Sequence, residues 1–149
     1  MSTELIYAAV VFLFSLACAD QDIREKRVPN LVLITAIVCG LILRCVFDIQ
    51  NLWLSALCGL GAGLFYFIVR LITRGRLGMA DVLFGVFQGV ILFPVPLFVC
   101  VLIECLSAAV WFLILRLKHR DATGEKSGRI AFIPFMAAGL IISYLISIF

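Results

Sequence analysis

Two aspartates lie where an apolar segment of the chain meets a short basic one, and these side chains are the best suited to chemistry. Asp22 begins the segment DIREKRVPN, and Asp81 ends the segment GMAD. Carboxylates at the edge of the hydrocarbon are costly, so they are functional candidates by default. If two carboxylates come close together, one ionises and activates water, while the other keeps the shared proton and protonates the leaving amine. This chemistry is that of a membrane-embedded aspartyl hydrolase.

The neighbourhood of each aspartate leaves alternatives open. Asp20 lies two residues before Asp22 and points to a different side of a helix, so either could be the partner of Asp81. Asp81 is also a favoured N-cap residue, whose anion the helix dipole stabilises without any catalytic role. Gln88 follows Asp81 at helical spacing on the same face, which indicates a polar pocket inside a helix bundle.

The composition indicates that membrane helices position these residues. Of the 149 residues, 64% are hydrophobic, and the mean hydropathy is +1.20, whereas a water-soluble domain is nearer half apolar. Six spanning helices of roughly 20 residues each would use nearly the whole chain, so we expect one membrane-embedded domain, residues 1–149. Prolines 94 and 96 divide the long apolar run of residues 82–115. The predicted helices cover residues 5–20, 31–47, 52–72, 81–93, 98–115 and 130–149.

The basic residues predict the orientation of these helices. Eleven of the twelve Lys and Arg residues lie in segments 24–27, 70–76 and 116–129, at or just beyond the ends of the first, third and fifth predicted helices. Cytoplasmic loops carry an excess of Lys and Arg. We therefore expect an all-α polytopic bundle in the cytoplasmic (inner) membrane, with six transmembrane helices, both termini outside, and both Asp22 and Asp81 facing the cytoplasm. Because the charges are divided among helix ends, we expect no nucleic-acid partner.

Other chemistry has little support in the sequence. The six cysteines form no C-x-x-C pair and His119 is the only histidine, so we expect no metal site and no cofactor. Glu104 lies inside the fifth predicted helix, where an acidic residue is a functional candidate. We expect it to be neutral and hydrogen-bonded between helices, with a proton or substrate pathway as the alternative.

The first aspartate segment resembles a signature of the type IV prepilin peptidase family, which are membrane aspartyl proteases. That signature is an Asp ending the first helix, a basic turn, and Ile-Pro-Asn. Here Asp22 and the basic turn are followed by Val28, Pro29 and Asn30. The spacing of the signature selects Asp22 over Asp20.

The second segment resembles the family's Gly-x-Gly-Asp signature at the start of helix four. Here it reads Gly78-Met-Ala80-Asp81, with Ala80 in place of the second glycine. Alanine lacks the access to positive φ that glycine has, so a turn that requires positive φ would be impaired. Residues 130–139 resemble the family's Ile-Pro-Phe-Gly-Pro-Phe segment, with Ala131 replacing the first proline.

The resemblance implies that Asp22 and Asp81 cleave prepilin-like or pseudopilin-like precursors of a type IV pilus or secretion system. The precursor carries a short basic leader before an apolar helix, and cleavage occurs at the cytoplasmic membrane face. The chain resembles the short, peptidase-only form, so we expect no N-methylation activity. The expected partners are this precursor and membrane lipid, and the sequence does not indicate the oligomeric state. One alternative is a catalytically altered relative that acts as a binding or assembly factor, which Ala80 motivates. A small transporter, motivated by Glu104 and Gln88, is another.

Overall fold

The computed structural model describes residues 2–25, 28–73, 77–118 and 132–148, and these ranges contain helices and turns but no strand. This confirms the all-helical prediction. The predicted start of the sixth helix, at residue 130, and the polar segment 119–129 lie outside the described residues. A short 3-10 helix, Ile49–Asn51, precedes the third α-helix. The α-helices are α1 (Ser2–Glu25), α2 (Asn30–Phe47), α3 (Leu52–Ile72), α4 (Met79–Ile91), α5 (Pro94–Lys118) and α6 (Ile133–Ile148).

The two largest shifts from the predicted helix boundaries are at the end of α1 and at the start of α5. α1 continues past Asp20, so Asp22 lies in its last turn. Two exposed polar residues of this extension, Asp20 and Arg24, pair at 2.8 Å one helical turn apart, and such pairs favour the helix. α5 begins at Pro94 rather than at residue 98. Proline is tolerated in the first turn of a helix, where its missing N–H would have no helical partner.

The helices present apolar surface on the outside of the bundle. Within the described residues, three segments are long and apolar enough to cross a membrane: Ile6–Glu25, Asn30–Phe47 and Ile49–Ile72. Shorter apolar helical segments cover Met79–Ile91, Pro94–Val110 and Ile133–Ser147. Many large apolar side chains on these helices are exposed, and a contiguous apolar exterior is suited to lipid rather than water. The chain is a membrane protein.

α4 is the central helix, and α3 packs closely along it. From Phe84 to Ile91 all but one of its residues are buried. A Cβ atom added at Gly89 would lie 2.3 Å from the backbone oxygen of Cys58, and one added at Gly59 would lie 2.9 Å from the Val90 side chain. Small residues therefore let the two backbones approach each other closely.

The directions of the helices give the bundle two distinct ends. At the end we call the aspartate end, α1 ends and α6 begins, and the Asp22 carboxylate contacts the backbone N–H of Ile133. At the opposite end, the Arg44 end, α2 and α4 end together, and Arg44 donates a hydrogen bond to the carbonyl of Ile91 at 2.6 Å. Tyr7, near the start of α1, also lies at the Arg44 end, with its ring centroid 5.3 Å from the guanidinium carbon.

Candidate active site

Asp22 is buried in the last turn of α1, with 8% of its surface exposed. Its Oδ2 accepts a hydrogen bond from the backbone N–H of Ile133 at 3.2 Å. Ile133 is the first residue of α6, so this N–H has no partner within its own helix, and the positive end of the α6 dipole faces the carboxylate. The side chains of Cys18, Val28 and Ile133 belong to the apolar core. Asp22 and Ile133 are 111 positions apart, so no local pattern in the sequence predicts their contact. The only sequence feature that pointed to this part of the chain was the resemblance of residues 130–139 to a family segment.

Asp81 is buried in the first turn of α4, with 7% of its surface exposed. Its Oδ2 accepts a hydrogen bond from the backbone N–H of Gly78 at 2.7 Å. Gly78 is the N-cap of α4 and Asp81 occupies the third helical position. Asp81 is therefore not the N-cap residue, which was the alternative role that its sequence position allowed. An acidic side chain at that position commonly bonds back to the N-cap N–H. The contact holds the carboxylate against the start of its own helix.

The structure before Asp81 explains why position 78 is glycine and why position 80 can be alanine. Gly78 has φ −69°, which any residue adopts, but a Cβ atom there would lie 3.1 Å from Asp81 Oδ2. Glycine at this position therefore provides room for the carboxylate. Ala80 lies inside α4, where the backbone is right-handed, so this position does not need positive φ. Arg70 of α3 donates from Nη1 to the carbonyl of Leu77 at 3.1 Å, which fixes the residue before the N-cap.

The two carboxylates lie at the same end of the bundle and at similar depth. The rings of Phe14 in α1 and Phe87 in α4 contact each other edge to face, with centroids 6.2 Å apart. From this contact Asp22 lies eight residues along α1 and Asp81 six residues back along α4, both toward the aspartate end. At 1.5 Å per residue these offsets are about 12 and about 9 Å. These offsets differ by only about 3 Å, so the two carboxylates lie at similar depth.

The other residues of the predicted motifs lie outside this buried pair. Asp20 is exposed and pairs with Arg24, and the two side chains are 58% and 75% exposed. This argues against Asp20 as the partner of Asp81. Pro29 is the N-cap of α2 and Asn30 is its first residue, and both are exposed. They begin the helix that leaves the aspartate end.

A buried polar cluster lies in the middle of the bundle. The fully buried carboxyl of Glu104 accepts hydrogen bonds from the Tyr66 hydroxyl, from Gln88 Nε2 at 2.5 Å and from Cys100 Sγ at 3.1 Å. Gln88 Nε2 also donates to the carbonyl of Met136 at 3.0 Å. The cluster joins α3, α4, α5 and α6. Glu104 makes the interhelical contact expected of it, whereas nothing in the sequence indicated Tyr66.

One face of α4 connects this cluster to Asp81. Asp81, Gly85 and Gln88 follow one another at helical spacing, and all three are buried. Tyr66 packs against the middle position, where an added Cβ atom at Gly85 would lie 2.2 Å from its ring. Gln88 is seven residues from Asp81, about 10 Å along the helix, and it bonds to Glu104. It therefore belongs to the cluster and not to a pocket around Asp81.

Comparison with known protein families identifies a match over most of the chain. The model of the type IV leader peptidase family matches residues 9–113, which is more than two thirds of the chain and includes Asp22 and Asp81. No curated protein and no solved structure matches the chain significantly.

Proposed function

Because this chain belongs to the type IV leader peptidase family, we propose that it is an aspartic endopeptidase that removes the short basic leader from prepilin-like precursors. The observation that carries the proposal is the pair of buried carboxylates, Asp22 and Asp81, at one end of the bundle. Buried acidic residues in a membrane bundle are rare and are functional candidates by default. Family membership supports peptidase activity, and these two residues supply the groups that an aspartic mechanism needs.

In the proposed reaction the two aspartates share one proton. The ionised carboxylate takes a proton from water, and the water oxygen attacks the scissile carbonyl. The protonated carboxyl polarises the carbonyl oxygen and then gives its proton to the leaving amine. The backbone N–H groups of Ile133 and Gly78 hold Asp22 and Asp81 in fixed orientations. Such orientation matters because general acid–base transfer requires hydrogen-bond reach to the reacting atoms.

We propose that residues 1–149 form one domain in the inner membrane, with six transmembrane helices and both termini outside. In this orientation the aspartate end lies on the cytoplasmic side. The supporting observation is that eleven of the twelve Lys and Arg residues lie in the last turn of α1, α3 or α5 or in the chain segments that follow these helices. In this arrangement the apolar helix of the precursor lies in lipid beside the exposed apolar faces of the bundle. Its basic leader reaches the aspartate end, where Asp20 and Glu25 are exposed.

The test is cleavage of a purified prepilin by purified protein in detergent or liposomes. We expect Asp22→Asn and Asp81→Asn each to lower the cleavage rate by about 10²-fold or more, since each removes one proton-transfer group. Asp20→Asn is the matched control, because it makes the same change two residues away on an exposed side chain. It should stay within about twofold of the native rate, as exposed ion pairs contribute little. Thermal unfolding of each variant checks that it is folded.

The outcomes separate the alternatives. Normal cleavage by both Asn variants would contradict the catalytic pair, and loss of activity in Asp20→Asn alone would transfer the role of Asp22 to Asp20. A catalytically altered relative would bind the precursor without cleaving it. A transporter would produce solute flux into liposomes that depends on Glu104.

A further inference from the structure

An open cavity of about 520 Å³ lies at the Arg44 end of the bundle, on the opposite side from the aspartates. Its volume falls within the range typical of small-molecule sites. It is formed where α2, α4 and α6 end and where α1 and α5 begin, and the proposed peptidase reaction does not use it. The residues that matter for its chemistry are Tyr7, Arg44, Asp48, Phe93, Tyr144 and Ser147.

Arg44 places a buried positive charge in the wall of this cavity. The residue is 6% exposed, and its guanidinium carbon lies 4.4 Å from the ring centroid of Phe93 and 5.3 Å from that of Tyr7. Nη2 donates to Ile91 O at 2.6 Å, Nε to Val90 O at 3.4 Å, and Nη1 to Asp48 at 3.0 Å. A guanidinium has five N–H groups. Within the described residues these bonds use three, so one N–H on each Nη remains for an anionic ligand.

Asp48 places a negative charge beside that positive one. Its Oδ2 accepts from Arg44, and its Oδ1 accepts from Asn51 Nδ2 at 2.8 Å. The Asp48 side chain is 28% exposed, in contrast to 7% for Arg44. A carboxylate has about four lone-pair positions, so Asp48 can accept further bonds from a donor in the cavity. The cavity therefore presents a cation and an anion side by side, which complements a zwitterion that carries an anionic group and an ammonium group.

The surface around the cavity is apolar. Trp53, Val95 and Phe98 lie near this end of α3 and α5, and they are 75%, 76% and 65% exposed. Tryptophan is enriched where a membrane protein crosses the lipid–water interface. A ligand whose polar head enters the cavity can therefore lay long apolar chains against the outside of the bundle.

We propose that this cavity binds the headgroup of a phospholipid that carries a phosphate and a primary ammonium group. The phosphate accepts hydrogen bonds from the two remaining N–H groups of Arg44, and the ammonium donates a hydrogen bond to the Asp48 carboxylate. Soluble phosphoethanolamine carries the same two charged groups but has no acyl chains. The apolar surface around the cavity can contact acyl chains, so we expect the lipid to bind more tightly than the soluble compound. This inference is independent of the peptidase activity, since it concerns the opposite end of the molecule.

The experiment is native mass spectrometry of the full chain in detergent, titrated with phosphatidylethanolamine, phosphatidylglycerol or soluble phosphoethanolamine. We expect one saturable phosphatidylethanolamine site, with phosphatidylglycerol binding about fivefold more weakly because it lacks the ammonium group. Asp48→Asn should bring the two lipids to within about twofold of each other, since it removes the charge that selects the ammonium. Arg44→Gln should weaken both by about tenfold or more. Arg24→Gln, which removes an exposed cation at the aspartate end, is the control and should change neither.

Arg44→Gln also removes the hydrogen bonds to the end of α4, so thermal unfolding is measured alongside and Asp48→Asn tests the proposal independently. Equal binding of the two lipids to the native protein would overturn the proposal, as would an unchanged preference in Asp48→Asn. Soluble phosphoethanolamine binding as tightly as the lipid would assign the cavity to a soluble phosphoester and overturn the lipid assignment. Unchanged lipid binding by folded Arg44→Gln would also overturn it.

Discussion

Gly89 is the position where an added methyl group would most directly separate α3 from α4. A Cβ atom there would lie 2.3 Å from the oxygen of Cys58, 2.6 Å from its carbonyl carbon, and 2.7 Å from the Cα of Gly59. All three atoms are backbone, so no side-chain rotation relieves the overlap. Carbon contacts are optimal at about 3.5–4.0 Å, so Gly89→Ala must move the two helices apart by roughly 1 Å.

The size of the effect follows from two opposing contributions. Replacing glycine by alanine inside a helix stabilises it by about 1 kcal/mol, whereas forcing an extra methyl group into a packed interior costs about 1–3 kcal/mol. Gly61 in α3 isolates the first contribution, because nothing lies within 4 Å of a Cβ atom added there. The propensity gain is common to both variants, so Gly89→Ala should be less stable than Gly61→Ala by about 1–3 kcal/mol.

The assay is thermal unfolding of the purified variants in one detergent. For a chain of this size, 1 kcal/mol corresponds to about 2–4 °C in Tm, so the two variants should differ by roughly 2–12 °C. Gly59→Ala should fall between them, because the nearest atom to its added Cβ, at 2.9 Å, is Val90 Cγ2 on a side chain that can move. A Tm for Gly89→Ala equal to or above that of Gly61→Ala would refute the idea that close backbone approach holds this helix pair together.

Three further predictions concern the cluster and the start of α4. Glu104→Gln should retain cleavage, because the new amide can accept a hydrogen bond from Gln88 and donate one to the Tyr66 oxygen. Glu104→Leu should lower the free energy of unfolding by about 1–3 kcal/mol for each polar group that it leaves without a hydrogen bond. An inactive but folded Glu104→Gln protein would contradict this. Ala80→Gly should not raise the cleavage rate and should destabilise the protein by about 1 kcal/mol, so a large gain in activity would show that this turn does need glycine. Gly78→Ala should lower the cleavage rate by about tenfold by displacing the carboxylate opposite it, and an unchanged rate would count against that contact.

The sequence predicted those features that depend on neighbouring residues. Hydropathy predicted the six helices, and Pro94 predicted the break between α4 and α5, because both act locally along the chain. The contacts of Arg44 with Ile91 and of Tyr66 with Glu104 join residues 47 and 38 positions apart. No periodicity or motif encodes such pairs, since they depend on which helices become neighbours.

The candidate site was predictable to a similar degree. The resemblance to the family signature selected Asp22 over Asp20, and the exposed ion pair of Asp20 agrees with that choice. The concern about Ala80 came from treating it as a turn residue. The structure removes that concern, because α4 begins at Met79 and includes position 80 in its first turn. A shift of two residues in a helix start is small for sequence-based assignment, yet here it changes the conformation required at the residue next to Asp81.

The length of α4 accounts for the polar residues at both of its ends. Its 13 residues span about 20 Å, whereas the hydrocarbon of a bilayer is about 30 Å thick. In the six-span arrangement that we propose, at least one end of α4 therefore lies at hydrocarbon depth, where unbonded backbone groups are costly. Arg44 binds the carbonyl of Ile91 at one end, and Asp81 accepts the N–H of Gly78 at the other. A charged side chain thus bonds to the backbone at each end of this short helix, and one of the two is the buried carboxylate at the place where we propose peptide cleavage.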